Sequence, residues 1–174
     1  MSAHASPLLA QAIAPDQGSL SAAQISEVVA GCLPVEAYRG RKVLLIIPDG
    51  TRTAPVGTLF KAVHSRIGHV AGSIDIMIAL GTHQPMSEEA ICNRLEISME
   101  QRRSTYAAVR FYNHEWDNPQ ALQVVGTLTA EDVEKISGGR FSMEVPVEIN
   151  KRVFEYDELL IIGPVFPHEV VGFS

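Results

Sequence analysis

Asp49, Arg52, His83 and His168 each stand just beyond a run of aliphatic residues, and together their types suit proton transfer on a small anion. A neutral imidazole accepts a proton and an imidazolium returns one near neutral pH, because the unperturbed histidine pKa is about 6.5. Two histidines could therefore serve opposite sides of one substrate. Arg52 offers a planar fork that matches a carboxylate, each charge-assisted hydrogen bond contributing about 1.5–3 kcal/mol. Taken singly, each residue has a structural use. Asp49 can cap a following helix, Arg52 can pair with an acidic neighbour, and either histidine can bond a backbone carbonyl. Their shared placement is what argues for a site.

Three apolar runs provide that placement. Val43 to Ile47 is an unbroken aliphatic stretch of strand length, Ser73 to Leu80 is a second apolar run of strand length, and Leu159 to Ile162 a third. Continuous apolar runs of this length read as strands buried on both faces. The first empties into Pro48-Asp49-Gly50-Thr51-Arg52, the second into Gly81-Thr82-His83-Gln84-Pro85, and the third into a turn reaching His168 and Glu169. In open α/β sheets ligands bind beyond the carboxyl ends of the strands, so a parallel arrangement brings these groups to one rim.

Helices are expected between the strands. Ser21 with Gln24 has capping-box form ahead of Ile25, Val28, Val29, Cys32 and Leu33 at helical spacing. Pro55 suits a first helical turn, and Val56, Leu59, Phe60, Val63 and Ile67 make one apolar stripe ending near Gly68. Ser87 and Ser98 open two short helices between Ser87 and Tyr106. Ala108 to Tyr112 and Leu122 to Val125 read as strands, Thr129 to Ile136 as a short helix, Gly138-Gly139 as a turn and Met143 to Ile149 as an alternating strand. The pattern predicts an α/β fold with a doubly wound, mainly parallel sheet flanked by helices and an added β-hairpin. Residues 1–20 are expected to form a flexible N-terminal arm and residues 21–174 the α/β domain.

Composition narrows the partners. The 174 residues carry a net charge of −6, and the 14 basic residues are scattered, which argues against nucleic acid. Arg102-Arg103 reads as a solvated helix face. Apolar runs fall far short of the roughly 20 residues that span a bilayer, and the N-terminus lacks a basic leader with a long apolar core. Cys32 and Cys92 fall at apolar helical positions with no zinc or disulfide spacing, so a reduced, cytoplasmic setting is the economical reading. His64 and His69 lie off the i to i+4 metal spacing and read as surface residues. His114 and Asp117 beside Trp116 read as a hydrogen-bonded turn or a site component. Neither a Gly-x-Gly-x-x-Gly fingerprint nor a P-loop is present.

The ordered set Pro48-Asp49-Gly50-Thr51-Arg52, Gly81-Thr82-His83, Val147-Glu148-Ile149-Asn150 and Gly163-Pro164-Val165-Phe166-Pro167-His168 through Gly172-Phe173-Ser174 resembles the N-terminal domain of the nickel-pincer nucleotide-dependent lactate racemase family. That resemblance implies a racemase or epimerase acting on a small 2-hydroxy acid by reversible hydride transfer to a nickel-pincer nucleotide. It implies that His83 and His168 are the catalytic acid/base pair, that Arg52 binds substrate, and that Asp49, Thr51 and Thr82 face the cofactor. No metal ligand is assigned within this chain. Gln84 stands where arginine is frequent in the family, and Thr127 to Phe141 form a longer link than is usual there; both bear on which 2-hydroxy acid is taken. The family's cofactor-tethering lysine, histidine nickel ligand and C-terminal domain are not among these residues. The chain is read as the N-terminal domain stopping before that lysine, whether as an expressed domain, a truncated product or a family member lacking the second half, and is expected to be without cofactor and inactive in isolation. The competing reading is a non-catalytic module that binds a small anion or nucleotide through Arg52 and the helix beginning near Pro55. A plain metal hydrolase is weaker, since no compact ligand motif is present.

Overall fold

The structure, a computed structural model, describes residues 9–168 together with Gly172 and Phe173; of His168, Gly172 and Phe173 it describes the backbone only. In chain order the elements are α1 (Ala22–Cys32), β1 (Lys42–Pro48), α2 (Val56–Ile67), β2 (Ser73–Ala79), α3 (Glu88–Arg94), α4 (Met99–Arg103) and β3 (Phe111–Asn113). They continue with β4 (Leu122–Leu128), α5 (Ala130–Ser137), β5 (Val145–Asn150), β6 (Glu158–Ile161) and the two-residue strands β7 (Pro167–His168) and β8 (Gly172–Phe173). The capping boxes expected at Ser21 and Ser98 form, and Thr129 closes a third with Asp132 at the start of α5.

Four parallel strands make the main sheet in the order β3-β2-β1-β6. The chain steps one way from β1 through β2 to β3, then returns to lay β6 on the other side of β1. The topological switch point therefore falls between β1 and β6, where an α/β sheet opens a crevice at its carboxyl edge. β4 and β5 form a separate antiparallel hairpin with a register shift between Val124 and Gly126. The mixed α/β architecture with helix-flanked parallel strands and an added hairpin matches the sequence expectation.

The core explains why these segments form these elements. Alternate residues of β1 (Val43, Leu45, Ile47) and β2 (Ile74, Ile76, Ile78) meet Phe60, Val63 and Ile67 of α2 and Val29 of α1. Each fully buried large side chain contributes about 1.5–3 kcal/mol of transfer free energy. At Gly57 a Cβ would lie 2.6 Å from the Glu96 side chain and 2.7 Å from the Leu95 carbonyl oxygen. The lack of a side chain there lets α2 pack closely against the end of α3.

Several expectations are corrected. Strand β3 starts at Phe111, not Ala108, because the Arg110 amide donates to the Asp75 carboxylate at 2.8 Å in place of a ladder partner. The run Leu159 to Ile162 is not buried on both faces: Leu159 and Ile161, alternate residues on one face of β6, are 45% and 79% exposed. Arg102 is no solvated residue: its guanidinium bonds Glu88 at 2.8 Å and the Tyr106 carbonyl at 2.8 Å, and lies 4.4 Å from the Phe111 ring centroid. His64 is half-buried against the rings of Phe60 and Tyr106, and that burial lowers its pKa. His69 is exposed as expected.

Candidate functional site

At the switch point the ends of β1, β2 and β6 enclose a cleft of about 790 Å³. Its floor is apolar, from Ile46, Ile47, Ile161 and Ile162, and its rim carries Asp49, Thr51, Arg52, Thr82 and His83. Five of the six candidate residues named from sequence thus come together. The sixth, His168, has its backbone in β7, but its side chain lies outside what the structure describes, as does Glu169. Gly163 and Pro164, on the segment leading to His168, do line the cleft.

The rim is built around Asp49, which is only 6% exposed. Its Oδ1 accepts from the Thr51 amide at 3.0 Å and from Thr51 Oγ1 at 2.5 Å, closing a tight turn after β1. Its Oδ2 lies 2.5 Å from Nδ1 of His83. Burial opposes the Asp49 charge, yet the bonds from Thr51 and His83 outweigh it and leave the carboxyl below its ordinary pKa. An ionised carboxylate only accepts hydrogen bonds, so the proton of this contact sits on Nδ1 of the ring. The lone pair of a neutral His83 is then on Nε2, and the side chain is 56% exposed. A carboxylate that fixes the tautomer and orients the ring is the arrangement of an acid/base histidine.

Two turns deliver these groups. Gly81 has φ +57°, a left-handed conformation that suits glycine, and the His83 amide bonds the Leu80 carbonyl at 3.1 Å. Farther along the same loop, Asn113 of β3 accepts from the Met86 amide at 3.0 Å and donates to the Met86 carbonyl at 2.9 Å. The guanidinium of Arg52 sits 5.5 Å from the Phe166 ring centroid, linking the β1 turn to the segment after β6.

Sequence reasoning put Asp49 and His83 on one rim without pairing them, and it missed Phe166, Asn113 and Arg94. Phe166 stood within a quoted motif, but nothing in the pattern marked its ring as a seat for arginine. His114 does not join the cleft: its Nδ1 accepts from the Asn150 amide group at 3.1 Å, and its backbone amide bonds the Ile78 carbonyl. Among the described residues no group of three or more His, Cys, Asp or Glu side chains could hold a metal ion, and no helix is long and apolar enough to cross a membrane.

Fold and cleft define a parallel α/β domain with its ligand crevice at the switch point of the sheet. Residues 19–174 match the family model described as the lactate racemase N-terminal domain, and the chain belongs to that family. Among solved structures it is similar to a protein from Thermotoga maritima, with 33% identity and a TM-score of 0.76 over 89% of this chain. The chain spans 36% of the length of that protein. No curated protein sequence matches it.

Proposed function

We propose that this domain supplies the acid/base and carboxylate-binding side of a site that interconverts the enantiomers of a small 2-hydroxy acid. The observation that carries the reading is the Asp49–His83 pair, set in a cleft beside Arg52. Arg52 would hold the substrate carboxylate. Nε2 of His83 would take the hydroxyl proton as the α-carbon becomes planar and return it afterwards, while His168 would do the same for the opposite enantiomer. Positioned acid/base groups of this kind contribute about 10²–10⁴ in rate.

The nickel-pincer nucleotide implied by the family would, when bound, supply a hydride acceptor for the α-carbon. The cleft is within the size range of sites for small molecules and cofactors, and Thr51 and Thr82 on its rim offer hydroxyls to such a group. With no metal-holding cluster among the described residues, this chain's part would be contact with the organic portion of the cofactor. Nickel ligation and the tethering lysine would come from residues outside these 174, in a second domain. The match to a protein of which this chain covers 36% is consistent with that division.

The test uses the chain joined to a C-terminal domain of the family and loaded with cofactor, assayed by conversion of D-lactate and longer 2-hydroxy acids. His83→Ala should lower turnover about 10²–10⁴-fold. Undiminished activity with both His83→Ala and His168→Ala would sink the proposal. Calorimetry that detects phosphate binding but no 2-hydroxy acid binding would instead favour an anion-binding module.

A further inference from the structure

The turn carrying Asp49, Thr51 and Arg52 has few anchors of its own. Outside the strand ladder, no backbone–backbone hydrogen bond of the described residues begins or ends on residues 49–53. Within the turn, Thr51 bonds Asp49, and from the next loop so does the half-exposed His83. A side chain from α3 supplies a hold on its main chain. Arg94 Nε donates to the Pro48 carbonyl at 3.3 Å and Nη2 to the Arg52 carbonyl at 2.7 Å, so one guanidinium grips both ends of the turn.

Two features make this more than an incidental contact. Arg94 is half-buried, and among the described residues it has no carboxylate partner. Its donors are thus directed at the two carbonyls. It is also carried by α3, whose end meets α2 at the side-chain-free Gly57, so the clamp is referred to the rigid core. The fork geometry matters: a lysine ammonium could reach either carbonyl but lacks the planar spread that engages two acceptors from one rigid group.

We propose that Arg94 is a positioning residue of the cleft, fastening the carbonyls of Pro48 and Arg52 to α3 and so fixing the turn that aims Asp49 at His83. What is positioned takes its meaning from the racemase reading above, whereas the clamp itself can be read without it.

The experiment is nuclear magnetic resonance on the 174-residue chain and its Arg94→Met and Arg94→Lys variants. It records backbone order parameters at Gly50 and Thr51 and the titration of the Asp49 carboxyl carbon, with the amides of Leu45 and Ile76 reporting the core. In Arg94→Met the order parameters of the turn should fall from about 0.85 to below about 0.6. The Asp49 midpoint should rise toward the ordinary value of about 3.9, with the core amides unchanged. Arg94→Lys should give intermediate values and remains informative if the methionine variant does not fold. Parent-like order and titration in the variants, or a loss of order shared equally by Leu45 and Ile76, would overturn the proposal. D-lactate added to the parent chain tests the other reading separately. No response at His83, with the clamp readouts as expected, would count against the racemase assignment and leave the role of Arg94 standing.

Discussion

Asp49 follows β1 and Asp75 lies within the adjacent strand β2, and the two solve the same problem differently. Both carboxylates are buried, 6% and 0% exposed. For both, burial opposes the charge and hydrogen bonds prevail, holding the pKa below the ordinary range. Asp75 lies near the start of β2 and is matched by a permanent cation. Arg110 donates from Nε at 3.1 Å and Nη2 at 2.5 Å, and Tyr156 Oη adds a bond at 2.7 Å. Asp49 lies just past the end of β1 and faces the half-exposed ring of His83 in place of a guanidinium. A buried carboxylate balanced by arginine and tyrosine is a structural pin. One balanced by a half-exposed histidine at the mouth of a cleft is the pair on which the proposed acid/base role rests.

If that contrast holds, the largest stability loss belongs to Asp75→Ala. The substitution leaves the Arg110 amide and the Tyr156 hydroxyl without their partner, at up to about 3 kcal/mol together, because Arg110 is exposed and Tyr156 half-buried and water reaches both in part. The Arg110 side chain is 59% exposed, so water can take over its charge and no large ionic penalty is added. A net loss of about 3 kcal/mol is expected in urea unfolding. A loss under about 1 kcal/mol would erase the distinction between pin and site.

Acid should act on both residues with the same sign. A carboxyl whose folded pKa is depressed contributes stability that is present above its unfolded pKa, about 3.9, and is lost as pH falls through the folded value. Unfolding free energy should therefore decline below about pH 4. Asp75→Asn should flatten that decline, as measured by chemical unfolding at a series of pH values.

Asp49→Asn should separate the two regions most clearly. About 1 kcal/mol of stability is expected to go, the scale of one net hydrogen bond, because Thr51 can still donate to the amide oxygen. The signature is at His83. Long-range proton–nitrogen spectra should show the neutral ring protonated at Nδ1 in the parent chain, and a mixture with the Nε2–H tautomer once the carboxylate is gone. An unchanged tautomer would mean that Asp49 does not orient the ring.

The two regions also differ in how far the sequence disclosed them. β1, β2 and the rim groups Asp49, Arg52 and His83 were legible because largely apolar runs of strand length ended in polar turns, a local signal. The family motifs were legible differently, as a resemblance carried by their order and spacing. Asp75 sat unremarked inside the run Ser73 to Leu80, since its partners Arg110 and Tyr156 are 35 and 81 residues away. Only the fold brings those three together. Arg94 was equally silent, because a basic residue in a last helical turn has an ordinary electrostatic reason to be there. The half-exposure of β6 could not be read either, because an apolar run does not say whether a second strand or helix covers it.

The smallest expected effect is at Thr51, and it tests whether the Asp49 charge is set by the turn or by the histidine. Thr51 is exposed, but its hydroxyl donates to the buried Oδ1 at 2.5 Å, while its amide donates to the same oxygen. Thr51→Val removes the hydroxyl and keeps the amide and the β-branched shape. Stability should fall by about 0.5 kcal/mol, at the low end for a net hydrogen bond. The Asp49 titration should move up toward the ordinary carboxyl value, because the Thr51 hydroxyl is the largest of the contributions opposing burial. Since the folded pKa then lies closer to the unfolded one, the stability that Asp49 contributes above about pH 4 shrinks and is lost over a narrower acid range. Carbon-detected titration of Asp49 in the two chains measures the change. If the midpoint stays where it is in the parent, the His83 contact alone governs the carboxylate, and the turn serves only to deliver it.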